Sequence, residues 1–226
     1  MIAAPLPAAG NRPTGTVARG RFTAPSKGAA GKVHDSLHYL QFRPLGADER
    51  PEDRALFGPA LDRMSWCVGQ QEILEHTSRR VLFHRIILSP GPEQEIGDMQ
   101  GWTRLVMADL GRSLGQELHW VAVVHRNTDN PHVHVLVGGA GERHGVLEPV
   151  ILRRPDYDLL RQRGDQHAHW LSRQEETFSR ALDHEVALDS AWRAAQAQAR
   201  AEEPAPGFQD TPYQAVTPDR SDGRGR

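Results

Sequence analysis

The sequence predicts a mixed α/β fold, an antiparallel β-sheet with helices packed on one of its faces. Three observations predict it. Two short β-branched runs, Trp120-Val-Ala-Val-Val124 and Val135-Leu-Val137, flank a turn-forming segment and read as paired strands. Apolar residues at helical spacing occur on both sides of this pair, so helices are available to cover the sheet. With 226 residues and 38% hydrophobic content, the chain can fill one core of ordinary size.

Residues 1–15 are rich in Pro, Ala and Gly and are expected to form a disordered tail. Lys32 to Phe42 carries Val33, Leu37 and Leu40 at helical spacing, holds Tyr39, and must end before Pro44. Residues 44–58 read as a charged loop. A helix is expected from about Pro59 to Thr77, with Leu61, Met64, Val68 and Leu74 inward. Val81 to Leu88 reads as a strand stopped by Ser89-Pro-Gly-Pro92. Asp98 is placed to cap a helix whose stripe is Met99, Trp102, Val106, Leu110 and Leu114, and Gly115 can terminate it. After the strand pair comes an edge strand around Val146 to Leu152. Pro155 can open a helix at its first position, and Gly164 is expected to interrupt it. Leu171, Phe178, Leu182 and Val186 mark a further helix. From about Ala194 the composition turns to Ala, Gln, Glu and Pro, so residues 194–226 are expected to form a second disordered tail. Residues 16–193 are left as the folded domain.

The most informative segment is His125-Arg-Asn-Thr-Asp-Asn-Pro-His-Val-His134. The six residues Arg126 to Pro131 carry Asn, Asp, Asn and Pro, which is turn chemistry. A hairpin closed there sets His125 opposite His132. Side chains alternate along a strand, so His132 and His134 point one way and Val133 and Val135 the other. Three imidazoles then converge on one side of one hairpin, within reach of one divalent ion, and the expected site lies on the open face of the sheet. A structural zinc site normally fills four positions, often with cysteines, and Cys67 is the sole cysteine and distant in sequence. Three protein ligands leave the metal an open coordination position, from which it can act as a Lewis acid toward carbonyl or phosphoryl oxygen. Imidazole ligands suit Mn²⁺, Zn²⁺, Ni²⁺ or Co²⁺ better than Mg²⁺, whose shell would have to be completed by phosphate oxygens.

A single cysteine excludes an intramolecular disulfide framework and fits a reducing compartment. Met1-Ile-Ala-Ala-Pro-Leu-Pro lacks the pattern of a secretory signal, and no run approaches the length of a membrane span, so a cytoplasmic location is expected. The net charge of -2 argues against a general nucleic-acid binder, but the charge is unevenly spread. Residues 1–43 hold Arg12, Arg19, Arg21, Lys27, Lys32 and Arg43 against Asp35 alone, and Arg153, Arg154, Arg161 and Arg163 form a second cluster.

An enzyme built on such a metal also needs a nucleophile, either water or a side chain. The chain has three tyrosines. Tyr213 falls in the expected tail, Tyr157 follows Arg-Arg-Pro-Asp at a helix start, and Tyr39, read from its helix alone, is a core aromatic. The stretch Leu118-His-Trp-Val-Ala-Val-Val-His-Arg-Asn-Thr-Asp-Asn-Pro-His-Val-His-Val-Leu-Val137 resembles the metal motif of plasmid mobilisation relaxases of the MobA and VirD type. These belong to the HUH endonuclease superfamily, in which histidine–hydrophobe–histidine is His132-Val133-His134 here. Leu37-His-Tyr-Leu-Gln-Phe-Arg43 resembles the family's tyrosine motif, and Phe83-His-Arg-Ile-Ile-Leu-Ser-Pro90 its intervening strand-and-turn motif. Asp109-Leu-Gly111 falls where the family's helix carries the same triplet. The likeness covers roughly residues 30–165. It departs at Ser89-Pro-Gly-Pro-Glu93, where family members tend to read Ser-Pro-Glu-Asp.

The resemblance implies an HUH relaxase-like domain that nicks and rejoins single-stranded DNA at a plasmid transfer origin. Tyr39 would attack the scissile phosphate and leave a 5′-phosphotyrosyl enzyme with a free 3′-hydroxyl. One divalent ion on His125, His132 and His134, Mn²⁺ or Mg²⁺ with Zn²⁺, Ni²⁺ or Co²⁺ as alternatives, would neutralise developing charge. Asp129 matches the family's acidic residue beside the histidines and would orient an imidazole, or else form an Asx-turn in the hairpin loop. Arg19, Arg21, Lys32, Arg43 and Arg126 are the expected contacts to DNA. Relaxosome accessory and coupling proteins would be the protein partners. The competing readings are a rolling-circle replication initiator or transposase of the same superfamily, a non-cleaving single-stranded DNA-binding accessory protein, and a metal-dependent hydrolase that uses water.

Overall fold

Among the described residues, five strands and four helices follow one another: β1 (Val17–Thr23), α1 (Ala29–Phe42), α2 (Trp66–Glu75), β2 (Phe83–Ser89), α3 (Met99–Leu114), β3 (Glu117–His125), β4 (His132–Arg143), β5 (Val146–Pro149) and α4 (Arg154–Glu202). The structure is a computed structural model that describes residues 15–42, 54–126 and 130–202, with side chains to 194. It divides into two compact units, Met1–Phe178 and Ser179–Arg226. The first holds the whole sheet. In the second, the described residues continue α4, and its Leu182, Val186 and Trp192 are exposed.

The mixed α/β class with an antiparallel sheet is the one the sequence predicts. The strands lie in the order β1-β2-β4-β3, every pair antiparallel, and β5 pairs with β4. The expectation that helices cover only one face is corrected. Leu118, Trp120, Ala122 and Val124 of β3 join the core under α3 and α4, with Trp102, Val106, Leu110 and Leu160. The alternate residues Val121 and Val123 join a second core with Val33, Leu37 and Leu40 of α1 and Ile73 of α2. Both faces of β3 and β4 are therefore buried, and the histidines share their face with α1 and α2.

β1 is absent from the sequence-based reading. Its run Val-Ala-Arg-Gly-Arg-Phe-Thr carries two exposed arginines and one buried apolar residue, Ala18, as suits an edge strand kept from pairing further by charge. The second helix is shorter than expected. Ser65, not Pro59, marks its start, with its hydroxyl accepting from Val68 N–H at 3.3 Å, and Leu61 and Val68 are exposed. Leu56 and Phe57, assigned to a charged loop, are fully buried, and Phe57 bridges to Ala122 on the outer edge of β3. α3 forms as expected. Asp98 accepts from Gly101 N–H at 2.8 Å, and Gly115 closes the helix in the left-handed conformation at φ 65°.

Gly164 does not interrupt α4, which spans Arg154–Glu202. The glycine serves a close approach instead. A Cβ there would stand 2.4 Å from Thr16 Cγ2, and Trp102 Nε1–H donates to the Gly164 carbonyl at 3.0 Å. The remainder of both expected tails, residues 1–14 and 203–226, lies outside the described residues.

Candidate metal centre

The β3–β4 hairpin pairs His125 with His132 and Val123 with His134. Strand alternation thus brings all three histidines to one face, as the spacing predicts. Their ring centroids are 5.3 Å apart for His125–His132, 4.6 Å for His125–His134 and 5.1 Å for His132–His134. One nitrogen of each lies within 4.8 Å of one nitrogen of the others, so the three could hold a metal ion. His125 and His134 are buried and His132 is half-buried, which excludes water from two of the rings and leaves the third at the opening.

Two of the rings have their tautomers set by backbone carbonyls. His125 Nε2–H donates to the Leu40 carbonyl at 2.7 Å, so the neutral ring keeps its lone pair on Nδ1. His132 Nδ1–H donates to the Asn130 carbonyl at 3.1 Å, so its lone pair is on Nε2. Orientation of a ligand imidazole by a hydrogen bond from its other nitrogen is the usual support for metal binding. Neutral imidazoles held this way fit a borderline first-row divalent cation.

The Leu40 carbonyl belongs to the last turn of α1, where carbonyls have no partner within the helix. The His125 bond therefore fastens the end of α1 to the histidine cluster, and Tyr39 is the neighbouring residue. Val33, Ser36, Leu37 and Leu40 face inward, while Tyr39 is 51% exposed. Arg85 of β2 lies beside it, its guanidinium carbon 5.7 Å from the Tyr39 ring centroid, and Arg85 Nη2–H donates to Ser36 Oγ at 2.8 Å. Burial lowers the Arg85 pKa from its ordinary value, the Arg21 charge lowers it further, and Tyr39 acts in the opposite sense. An arginine remains charged in such surroundings.

In the sheet, Arg19 pairs with Ile87 and Ile87 with His134, so Arg19 is on the histidine face. Two strand spacings separate it from His134, or about 10 Å. Arg21 pairs with Arg85 one row further on, and Lys32 is exposed on α1. Arg126 is tied elsewhere, its Nη2–H donating to the Gly97 carbonyl at 2.9 Å, in the loop before the opposite-face helix α3. Arg43 and Asp129 lie outside the described residues.

Comparisons with known proteins add little. No family model matches the sequence, and no curated protein does. The chain is similar to a solved structure described as "Molecular Basis of Vancomycin Resistance Transfer in Staphylococcus aureus". The identity is 12%, with 71% of this chain and 93% of that chain covered, and the TM-score is 0.42.

The other tyrosine within the described residues is on the wrong side. Tyr157 of α4 packs against the core of the opposite face, beside Gly20. Burial, with a smaller contribution from Asp156, raises its pKa above the ordinary value. Tyr213 lies outside the described residues. Sequence reasoning did not single out Arg85 and Ser36. Arg85 alternates with Ile86 along β2, so the parity that groups the histidines could also have set it on their face.

Proposed function

We propose that this chain is a metal-dependent single-strand DNA nuclease of the relaxase kind, with Tyr39 as nucleophile. The observation that carries this reading is the bond from His125 to the Leu40 carbonyl, which couples the three-histidine cluster to the helical turn bearing Tyr39. A bound divalent ion would withdraw charge from the non-bridging oxygens of the scissile phosphate. Arg85 supplies positive charge beside the tyrosine ring, with Arg21 next to it in the sheet, and the two can hold the phosphate against Tyr39. Tyr39 Oη attacks phosphorus, its proton passes to solvent, and the bond from phosphorus to the 3′ oxygen breaks. The products are a 5′-phosphotyrosyl chain and a free 3′-hydroxyl. The ester retains the phosphodiester energy, so a 3′-hydroxyl can return and reseal the strand. Exposed Phe42 and His38, with ring centroids 4.9 Å apart, offer faces on which bases of a single strand can stack. Asp129 is assigned the orienting role toward a ligand histidine.

The test is a 3′-labelled single-stranded oligonucleotide pool of randomised sequence, incubated with the chain and Mn²⁺ and resolved under denaturing conditions. Label should migrate with the protein, and Tyr39→Phe, which keeps the ring and removes one oxygen, should abolish that band without unfolding the chain. Cleavage with no adduct would transfer the reading to a hydrolase that uses water. An adduct that survives in Tyr39→Phe would remove Tyr39 from the mechanism.

A further inference from the structure

A second group of metal-ligating side chains occupies the histidine face at its other end. Glu72 and His76 are one helical turn apart at the end of α2, and His119 stands near the start of β3. Six residues along β3 separate His119 from His125, or about 20 Å of extended chain. The backbone brings the helix to the strand. Ala140 N–H donates to the His76 carbonyl at 2.9 Å, and a Cβ at Gly138 would stand 2.6 Å from that same carbonyl oxygen. Only a residue without a side chain lets the end of α2 lie this close to β4.

The side chains close on one point. The rings of His76 and His119 are parallel within 4°, with centroids 3.3 Å apart. Glu72 Oε1 accepts from His119 Nδ1 at 2.9 Å and lies 3.7 Å from His76 Nδ1. One ligand atom from each of the three residues falls within 4.8 Å of the others, and all three residues are half-buried. Two ligand atoms on a tetrahedral ion with bonds of about 2.1 Å are about 3.4 Å apart, so small rotations would complete the site. His76 Nδ1–H also donates to the Glu72 main-chain carbonyl at 2.7 Å, so with both Nδ1 atoms engaged each ring offers its Nε2. The cluster thus presents two nitrogens and one carboxylate oxygen. His119 Nε2 is buried and has no hydrogen-bond partner among the described residues, so the group is incomplete as a hydrogen-bond network.

We propose that Glu72, His76 and His119 form a second divalent-cation site, suited to Zn²⁺, Co²⁺ or Ni²⁺, that clamps the end of α2 to β3. Imidazole nitrogens with one carboxylate favour these ions over Mg²⁺ or Ca²⁺, which take oxygen shells. The inference is independent of the proposed nuclease activity. An ion at this end of the sheet joins a helix to a strand remote in sequence, so it binds the folded chain and raises its melting temperature.

Calorimetric titration of the tag-free, chelator-treated full chain with Zn²⁺ tests the proposal. The unmodified chain should bind two ions, and His132→Asn with His134→Asn should still bind one. Adding Glu72→Gln and His119→Gln to that variant should remove the remaining ion, and Glu72→Gln alone should weaken it about tenfold or more. The triad variant should also melt higher in Zn²⁺ than in chelator, which keeps the test readable if the quadruple variant folds poorly. Failure of the triad variant to bind Zn²⁺ or to shift its melting temperature would overturn the inference. So would an ion that survives in the quadruple variant, since it would then sit on other histidines. One ion in the unmodified chain, kept without the triad and lost without Glu72 and His119, would leave this site standing and count against the metal centre of the proposed nuclease.

Discussion

Histidine performs distinct tasks at neighbouring positions here, and the face of the strand decides which. His84 of β2 shows the contrast. It points to the face opposite the triad, is buried, and Nε2–H donates to the Val150 carbonyl at 2.9 Å. Burial lowers its pKa from the ordinary 6.5, and the Val150 bond offsets part of that. The folded chain thus holds this proton less tightly than the unfolded chain does. Below about pH 6.5 the unfolded state binds more protons, so stability falls with falling pH in that window and is flat above it. His84→Gln keeps a donor for Val150 and cannot titrate, so its acid limb should be shallower. Thermal melts of both proteins in chelator between about pH 5 and pH 7 measure the difference, and other histidines cancel in the comparison. Parallel acid limbs would mean that His84 contributes nothing to the pH dependence.

The elements show which parts of a fold can be read from sequence and which depend on partners elsewhere. The hairpin was legible because its information is local: a turn-forming segment sets the register, and parity then fixes three side chains. The caps of α3 were legible for the same reason. The second helical layer was not, although a sign of it exists. Trp120 to Val124 and Val133 to Val137 include near-continuous apolar runs, which indicate burial on both faces more than a polar-apolar alternation would. Gly164 was misread because a glycine that admits Thr16 and a glycine that ends a helix look alike in one dimension. Gly139 of β4 makes the same point as a prediction. A Cβ there would lie 1.8 Å from the Val81 carbonyl oxygen and 2.9 Å from that of Leu82, both main-chain atoms that cannot rotate aside. Gly139→Ala should therefore destabilise the chain by about 3 kcal/mol or more, read from denaturant unfolding. A loss near that of an ordinary strand substitution, below about 1 kcal/mol, would show that the Val81–Leu82 segment ahead of β2 can move away from β4 cheaply.

For the molecule as a whole, a net charge of -2 conceals a local arrangement of opposite sign. Arg19, Arg21 and Arg85 share the histidine face, and Lys32 is exposed on the helix that carries Tyr39. The electrostatic part of single-strand binding depends on where cations meet phosphates rather than on the total charge. Arg21 and Arg85 are adjacent in the sheet, and the Arg21 charge adds to burial in weakening the hold of Arg85 on its proton, a cost that a phosphate placed between them would relieve. Replacing Arg19, Arg21 and Lys32 with Gln should weaken binding to an unstructured single-stranded oligonucleotide and also flatten its dependence on salt. Every phosphate left without its cation lowers the slope of log affinity against log salt by roughly 0.7, so three such phosphates would lower it by about 2. Fluorescence anisotropy across a salt series measures both quantities. Weaker binding with an unchanged slope would mean that these residues act through folding and that the strand runs over another surface. A flattened slope with the fold intact would place the nucleic acid on the histidine face, beside Tyr39.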